Sequence, residues 1–238
     1  MELNKLLEQI EQDPFIINEI DKKLITKSLA MSVVKKNGLF LEFLPEKFKA
    51  NMDVVKQALN SNGLALRYVS KELINEFELG ILAVVRNGMA LEYVGDKLKK
   101  NHEIVEMALR RNIKAINFLG QDYNPRKGLV TYINRKFFSI HHFGDTARNN
   151  PYLMLKLIKQ TSSFISLLSL ELRENKKFIY KVQEVVPEAD MKLVVYGNEM
   201  LELIKKYKRE DDLVEEMKKT KEESANKDID KIRNRRKI

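Results

Sequence analysis

Three histidines are the side chains of this sequence best suited to acid–base or metal chemistry, and they stand at His102, His141 and His142. His102 follows Asn101, a residue type that often begins helices, so we expect it in an exposed first turn. His141 and His142 are adjacent and point to different faces of a helix, which excludes the usual same-face metal pair. His142 and Asp145 could form a general acid–base pair, but no nucleophile accompanies them.

Other chemical motifs are missing from the sequence. The chain has 0 cysteines, which excludes a disulfide, a thiolate metal site and a cysteine nucleophile, and fits a reducing compartment. It contains neither a glycine-rich phosphate loop nor an H-E-x-x-H motif. We therefore predict a protein that is not an enzyme and that binds no cofactor and no metal. An active site, if there were one, would centre on the irregular stretch 122–151.

Basic residues form the most suggestive surface pattern. Lys and Arg number 43 against 34 Asp and Glu, a formal charge of +9. Many of them fall at the predicted ends of successive helices, where they would either complement the helix dipole or align into a stripe that binds phosphates or an acidic protein. We call these residues the basic edge: Lys35, Lys36, Arg86, Arg110, Arg111, Arg135 and Lys136, joined by Arg233, Arg235 and Arg236 of the C-terminal tail.

The elements that carry these residues repeat every 25 residues. The pairs Asn37-Gly38, Asn62-Gly63 and Asn87-Gly88 are followed by Asn112, after which Ile113 replaces glycine. An apolar column keeps the same step through Leu29, Val54, Leu79, Ile104, Leu129, Met154, Ile179 and Ile204. Short helices that cannot bury an apolar stripe alone bury it by stacking. The period predicts an all-α fold, an α-solenoid of about seven helix-turn-helix repeats with a charged C-terminal helix or tail.

Each repeat predicts a long helix and a shorter one. We expect the long helix to begin at Asn51, Asn75 or Asn101, or with Pro151 in its first turn, and to end where the glycine of Asn-Gly adopts a left-handed conformation. The shorter helix would run, for example, from Leu64 to about Leu73. The aromatic column that begins in this helix is interpreted as core packing; it consists of Phe43, Tyr68, Tyr93, Phe118 and Phe143, with Leu168 at the next step.

The chain divides into three parts by pattern. Residues 1–13 predict an N-terminal capping helix, 14–208 the helical repeat domain, and 209–238 a charged helix and basic tail that is partly disordered. The first residues do not resemble a signal peptide, and no apolar window is long enough to span a membrane. We therefore expect a cytoplasmic protein.

These repeats resemble a known family of short tandem helical repeats, catalogued as a domain of unknown function. Its units read roughly N-G-x-A-L-x-Y-A-S-E-E-L-x-N-D-x-E-V-V-x-x-A-V. The best matches run from Asn62 to Leu82 and from Asn87 to Ala108. The resemblance implies tandem helical pairs and an interaction role, and it carries no catalytic residues over to this chain.

The leading functional hypothesis is a non-enzymatic scaffold that binds a protein partner, as an inhibitor or effector that wraps it. Side chains that vary between repeats would make the contact, in the column Gln57, Leu82, Met107, Tyr132, Leu157 and Val182. We single out Met107, Tyr132 and Leu157, together with the outward position of His142, as candidate partner-binding residues. The alternative is a nucleic-acid-binding solenoid that uses the basic edge. Neither a membrane nor a small-molecule substrate is predicted.

Overall fold

The protein is all-helical throughout the part that the computed structural model describes, residues 2–136, 143–192 and 197–235. At residues 2–4, 136, 189, 192, 197, 198 and 220–235 only the backbone is described. No strand and no helix long and apolar enough to cross a membrane occurs in these ranges. The α-helices are α1 Glu2–Gln12, α2 Ile16–Glu19, α3 Lys27–Lys36, α4 Glu46–Lys49, α5 Met52–Ser61, α6 Phe77–Arg86, α7 His102–Arg111, α8 Lys127–Lys136, α9 Asp145–Arg148, α10 Pro151–Gln160, α11 Leu170–Glu174, α12 Lys176–Val185, α13 Glu188–Lys192 and α14 Gly197–Arg235.

In the repeats where the structure describes the segment after the long helix, the shorter helix is a 3₁₀ helix and not the predicted α-helix. The segment that begins at Gly63 ends at Tyr68, because Val69 has an extended backbone with ψ of 144°. Its hydrogen bonds join residues three apart, such as Ala65 N–H to the Asn62 carbonyl at 3.0 Å. The prediction of a helix reaching Leu73 is therefore wrong. The 3₁₀ helices are Gly38–Phe43, Gly63–Tyr68, Gly88–Glu92, Leu98–Lys100, Ile113–Phe118 and Ser162–Leu167.

The Asn-Gly pairs join the two helices of a repeat in a way that the sequence did not reveal. Asn62 has an extended backbone, with φ of −151° and ψ of 115°, and its side chain accepts the N–H of Leu64 at 3.0 Å. It thus ends α5 and caps the 3₁₀ helix that follows. The glycine provides space, not a left-handed conformation: a Cβ atom at Gly63 would lie 2.3 Å from the Ala83 carbonyl oxygen in the next repeat.

Side-chain caps begin most of the long helices. Asn51 and Asn101 accept backbone N–H groups at the starts of α5 and α7, as predicted. Asn75 does not cap α6, because the cap position is Glu76, which makes no side-chain cap bond. Pro151 opens α10 as expected, and the side chain of Asn150 accepts the Leu153 N–H at 2.9 Å.

The helical register shifts by one residue near the middle of the chain. Thr26, Asn51 and Asn101 fit one 25-residue series of caps, whereas α10 and α12 are capped one residue early, by Asn150 and Asn175. One residue corresponds to about 100° around a helix, so the same sequence column faces a different way in α10 and α12. The long apolar column does not reveal the shift, since the third and fourth positions after the cap are both mostly buried.

Contacts divide the chain into two compact units, Met1–Leu157 and Ile158–Ile238. In the first, α3, α5, α6 and α7 contact one another in sequence order, and so do the 3₁₀ helices beside them. One backbone hydrogen bond recurs between neighbouring repeats: Ser70 N–H to Lys49, Gly95 N–H to Ile74 and Gly120 N–H to Lys99. In the second unit, α14 packs on α12 and α13 and continues as a helix to Arg235.

Candidate interaction surfaces

A half-buried apolar column crosses three successive long helices. Leu82 on α6, Met107 on α7 and Tyr132 on α8 each lie five residues after the first residue of their repeat's long helix, and all three are partly exposed. We call these three side chains the outer column. The equivalent residue in α5 is Gln57, and in α10 it is Lys156, so the apolar side chains of the outer column are confined to α6, α7 and α8 among these five helices.

Tyr132 is held between two helices. Its hydroxyl donates to the carbonyl oxygen of Leu109 at 3.5 Å, and the Arg110 guanidinium lies over its ring, 5.4 Å from the centroid. A cation over an aromatic ring is attracted by the ring's negative face, which restricts how the ring moves. The side chain is therefore held in place and remains partly exposed.

Leu157 does not belong to the outer column. Its side chain is 0% exposed, because it lies seven residues after the cap Asn150. That is the inward position occupied by Ala58 and Ala108, seven residues after Asn51 and Asn101. The prediction that Leu157 contacts a partner is therefore wrong, because the one-residue register shift turns this position inward. Val182 in α12, seven residues after the cap Asn175, is buried for the same reason. His142 lies outside the described residues.

The basic edge is exposed at the ends of the long helices. Lys35, Lys36, Arg86, Arg110, Arg111 and Arg135 are all solvent-exposed in the last turns of α3, α6, α7 and α8. Arg86 donates to the Asn60 side chain at 2.9 Å, and Lys36 pairs with Glu11 at 3.4 Å. Lys136, Arg233 and Arg235 lie on helical backbone whose side chains are not described, and Arg236 lies outside the described residues.

The members of the aromatic column that accompany the 3₁₀ helices are half-buried. Tyr68 and Tyr93 are half-buried, and the Arg67 guanidinium lies 5.0 and 5.7 Å from their ring centroids. Partial burial raises the pKa of both hydroxyls, and hydrogen bonds to Glu42 and Glu92 raise it further. The interpretation as core packing is therefore wrong for Tyr68 and Tyr93, whereas Phe143 and Leu168 of the same column are buried. The two tyrosines were a sequence signal of this partial exposure, because a tyrosine hydroxyl needs a polar partner or water.

Two equivalent grooves open beside this aromatic column. The first, of about 480 Å³, includes Asn75, Tyr93 and Lys97 in its lining. The second, of about 460 Å³, is lined by Lys100 and Phe118, which stand one repeat later than Asn75 and Tyr93. Each groove runs between neighbouring repeats, so the surface presents similar openings at one-repeat spacing. The repeat pattern of the sequence does not indicate these grooves, because each one needs residues from two repeats.

The polar residues of the irregular stretch 122–151 make structural bonds. Asn150, 1% exposed, donates to the carbonyl oxygens of Gly120 and Tyr123, each at 3.2 Å. His102 is half-buried and hydrogen-bonds through Nδ1 to the hydroxyl of buried Tyr123 at 3.2 Å, where an exposed first-turn residue was expected. Burial raises the pKa of Tyr123. No cluster of three metal-ligating side chains occurs among the residues that the structure describes.

Comparison with protein families matches this repeat region. Residues 26–74 and 81–123 match the family model named Domain of unknown function (DUF4116). The matched segments include α3, α5, α7 and most of α6, with the 3₁₀ helices beside them and most of the residues that line the two grooves. No curated protein and no solved structure matches the chain. The match supports the resemblance to that family over about two-fifths of the chain and names no activity.

Proposed function

We propose that this chain is a non-enzymatic α-solenoid that binds a partner protein through the outer column. The hydrogen bond that recurs from repeat to repeat, from Gly95 to Ile74 and from Gly120 to Lys99, supports a regular stacking of units. Stacked repeats present equivalent side chains in rows, which is how solenoid proteins build extended binding surfaces. An inhibitor or effector that covers a partner's surface is the specific form of this proposal.

The observation that carries the proposal is the bounded apolar patch formed by Leu82, Met107 and Tyr132. Aromatic residues and methionine are enriched in protein interfaces and charged residues are depleted at their centres. The equivalent positions in α5 and α10 carry the polar residues Gln57 and Lys156, and the Arg110 guanidinium lies over the ring of Tyr132. An apolar centre with a polar rim is the usual arrangement of a protein-binding site, in which a few buried anchors dominate the affinity.

The experiment is quantitative capture of partners from a native lysate after nuclease treatment. Met107→Ala and Tyr132→Ala together should reduce recovery of a specific protein by about tenfold, the effect expected from losing one interface anchor. Gln57→Ala changes the same position in α5 and should leave recovery unchanged. Circular dichroism checks that each variant is folded. Equal recovery with all three proteins would refute the placement of the binding site.

The second candidate function is nucleic-acid binding by the basic edge. Arg86, Arg110 and Arg111 are exposed and form no ion pair within the described part of the chain, where several lysines are paired with carboxylates. Such arginines suit phosphate oxygens, although cations at helix ends also stabilise the helix dipole. If these arginines served only to stabilise the helix dipole, the protein would show no binding to nucleic acid that depends on them.

The test is titration of fluorescent single- and double-stranded oligonucleotides at several salt concentrations. Binding through this edge should weaken steeply with salt, and replacing Arg86, Arg110 and Arg111 by Ser should lower the slope by about 0.9 per lost phosphate contact on duplex DNA. A salt response unchanged by the substitutions would remove this candidate and leave the cations as helix-dipole partners.

A further inference from the structure

Helix α6 has an apolar outer side, unlike the helices next to it. Phe77, Ile81 and Val85 stand four residues apart and therefore form one row along the helix. Phe77 is 43% exposed, and the other two are partly exposed. We call these three side chains the α6 row. The equivalent positions carry Met52, Lys56 and Asn60 in α5, and His102, Glu106 and Arg110 in α7.

The α6 row adjoins the outer column and has one charged neighbour on its own helix. The row and Leu82 fall within about 140° around α6, since each residue turns a helix by about 100°. Glu78 lies in the same sector, and its carboxylate pairs with Lys56 of α5 at 2.6 Å. The other residues of α6 lie outside this sector. The exposed side of α6 is thus apolar apart from one carboxylate that already has a cation.

An occupant of this surface must satisfy its own backbone hydrogen bonds. Between their ends, α6 and α7 bond their N–H and C=O groups internally, so neither helix offers backbone partners beside the row. An extended segment would therefore leave polar backbone groups unpaired against apolar side chains, whereas an α-helix would not. The row is about 12 Å long, which matches two turns of a helix whose apolar residues are three or four apart.

Charges beside the row have opposite signs at its two ends. α7 packs against α6, and by repeat equivalence Glu103 and Glu106 lie beside the first half of the row. Arg110 and Arg111 lie beside its end. None of these four side chains forms an ion pair within the described part of the chain. Complementary charges on an occupant are therefore cations near the first pair and carboxylates near the second.

We propose that the partner protein contributes an amphipathic α-helix that lies antiparallel on the α6 row, with carboxylates in its first turns and cations in its last turns. The inference rests on the proposed function, because it describes the partner of the same surface. Carboxylates at the start and cations at the end also suit the dipole of the partner helix itself. The antiparallel direction then brings its start to Arg110 and Arg111 and its end to Glu103.

Two synthetic helical peptides of equal composition test this inference. Both have leucine at every third or fourth position; the first has glutamates in its first turns and lysines in its last turns, and the second has them exchanged. Fluorescence anisotropy should show that the full chain binds the first peptide at least about tenfold more tightly. Ile81→Lys should weaken this binding at least about tenfold. Thr131→Lys, at the equivalent position of α8, is the matched control and should leave it unchanged.

Charge exchange in the protein separates recognition from the helicity of the peptides themselves. Glu103→Lys/Arg111→Glu changes two exposed residues and should reverse the preference between the peptides, which their own helicity cannot do. Circular dichroism checks that each variant is folded. No binding of either peptide at millimolar concentration, or a preference that the exchange leaves unchanged, would overturn the proposal. Partner capture that depends on Met107 and Tyr132 would then still support the proposed function, so the two fail separately.

Discussion

Gly63 and Ala83 approach so closely that a Cβ atom at Gly63 would lie 2.3 Å from the carbonyl oxygen of Ala83. That carbonyl already accepts the N–H of Asn87 at 2.8 Å, so it cannot move without loosening the end of α6. The same approach occurs between Gly38 and Ala58 and between Gly88 and Ala108. In the next repeat the two positions are both large, Ile113 and Ile133. Glycine and alanine together thus set the close spacing of the first repeats.

Gly63→Ala should destabilise the protein by about 1–3 kcal/mol, the range for forcing an extra methyl group into a packed site. The methyl group would overlap a backbone carbonyl and not the flexible end of a side chain, so neighbouring repeats have to separate. Urea unfolding followed by circular dichroism measures the change.

The control is Gly128→Ala in the first turn of α8, where nothing lies within 4 Å of the added Cβ atom. Alanine is a better helix former than glycine, so this variant should be unchanged or more stable, by up to about 1 kcal/mol. If Gly63→Ala were as stable as Gly128→Ala, the close approach would not constrain repeat spacing.

Asn150→Ala should cost about 3 kcal/mol of unfolding free energy. Asn150 is buried, donates to the Gly120 and Tyr123 carbonyl oxygens and accepts the Leu153 N–H, and removing it leaves buried polar groups without these partners. Asn51→Ala, which removes only the cap of α5, should cost about 1 kcal/mol. Chemical denaturation of both variants gives the comparison, and equal losses would mean that Asn150 acts as an ordinary helix cap.

Leu157→Ala and Leu82→Ala should differ strongly, although the two leucines belong to one 25-residue sequence column. Leu157 is fully buried, and removing a buried leucine side chain typically costs about 2–5 kcal/mol. Leu82 is half-buried on the outer column, so its loss should cost roughly a third as much. Thermal unfolding of both variants measures the difference. Similar losses would contradict the register shift at α10.

The 25-residue period predicted the buried faces well and the local geometry poorly. Val54, Leu79 and Ile104 share a column and are all 0% exposed, because apolar periodicity reports burial directly. The type of the short helix could not be predicted. A segment of six residues is too short for its apolar pattern to distinguish a 3₁₀ helix from an α-helix. The role of Gly63 depends on its distance from Ala83, which is a property of two repeats and not of either one.

The candidate surfaces were predicted only in part for a related reason. The exposure of Arg86 and Arg111 follows from their place at helix ends, which the sequence marks with Asn-Gly or Asn. Leu157 was misplaced because the early cap at Asn150 changes which face a given position occupies. The pairing of Arg67 with Tyr68 and Tyr93 requires side chains from two repeats to meet, and a single-repeat pattern contains no information about that.

Tyr180 should ionise late, and Asp211 is the reason. The Tyr180 hydroxyl donates to the Asp211 carboxylate at 2.7 Å, which raises the pKa of Tyr180 to about 12, while the hydrogen bond from Lys176 lowers the pKa of Asp211. A raised tyrosine pKa adds stability that is complete below the ordinary value of about 10 and is lost as pH rises towards 12. A lowered aspartate pKa adds stability that is lost as pH falls through it.

The check is ultraviolet titration of phenolate absorbance, with the wild type compared with Tyr180→Phe. The difference between them should be a single transition at about pH 12. Asp211→Asn keeps a hydrogen-bond acceptor but removes the negative charge, so the Tyr180 transition should move back towards its ordinary value of about 10. Lys208→Gln, an exposed change on the same helix, should leave it in place. A difference transition already near the ordinary value in the wild type would show that α12 and α14 are not joined by this hydrogen bond in solution.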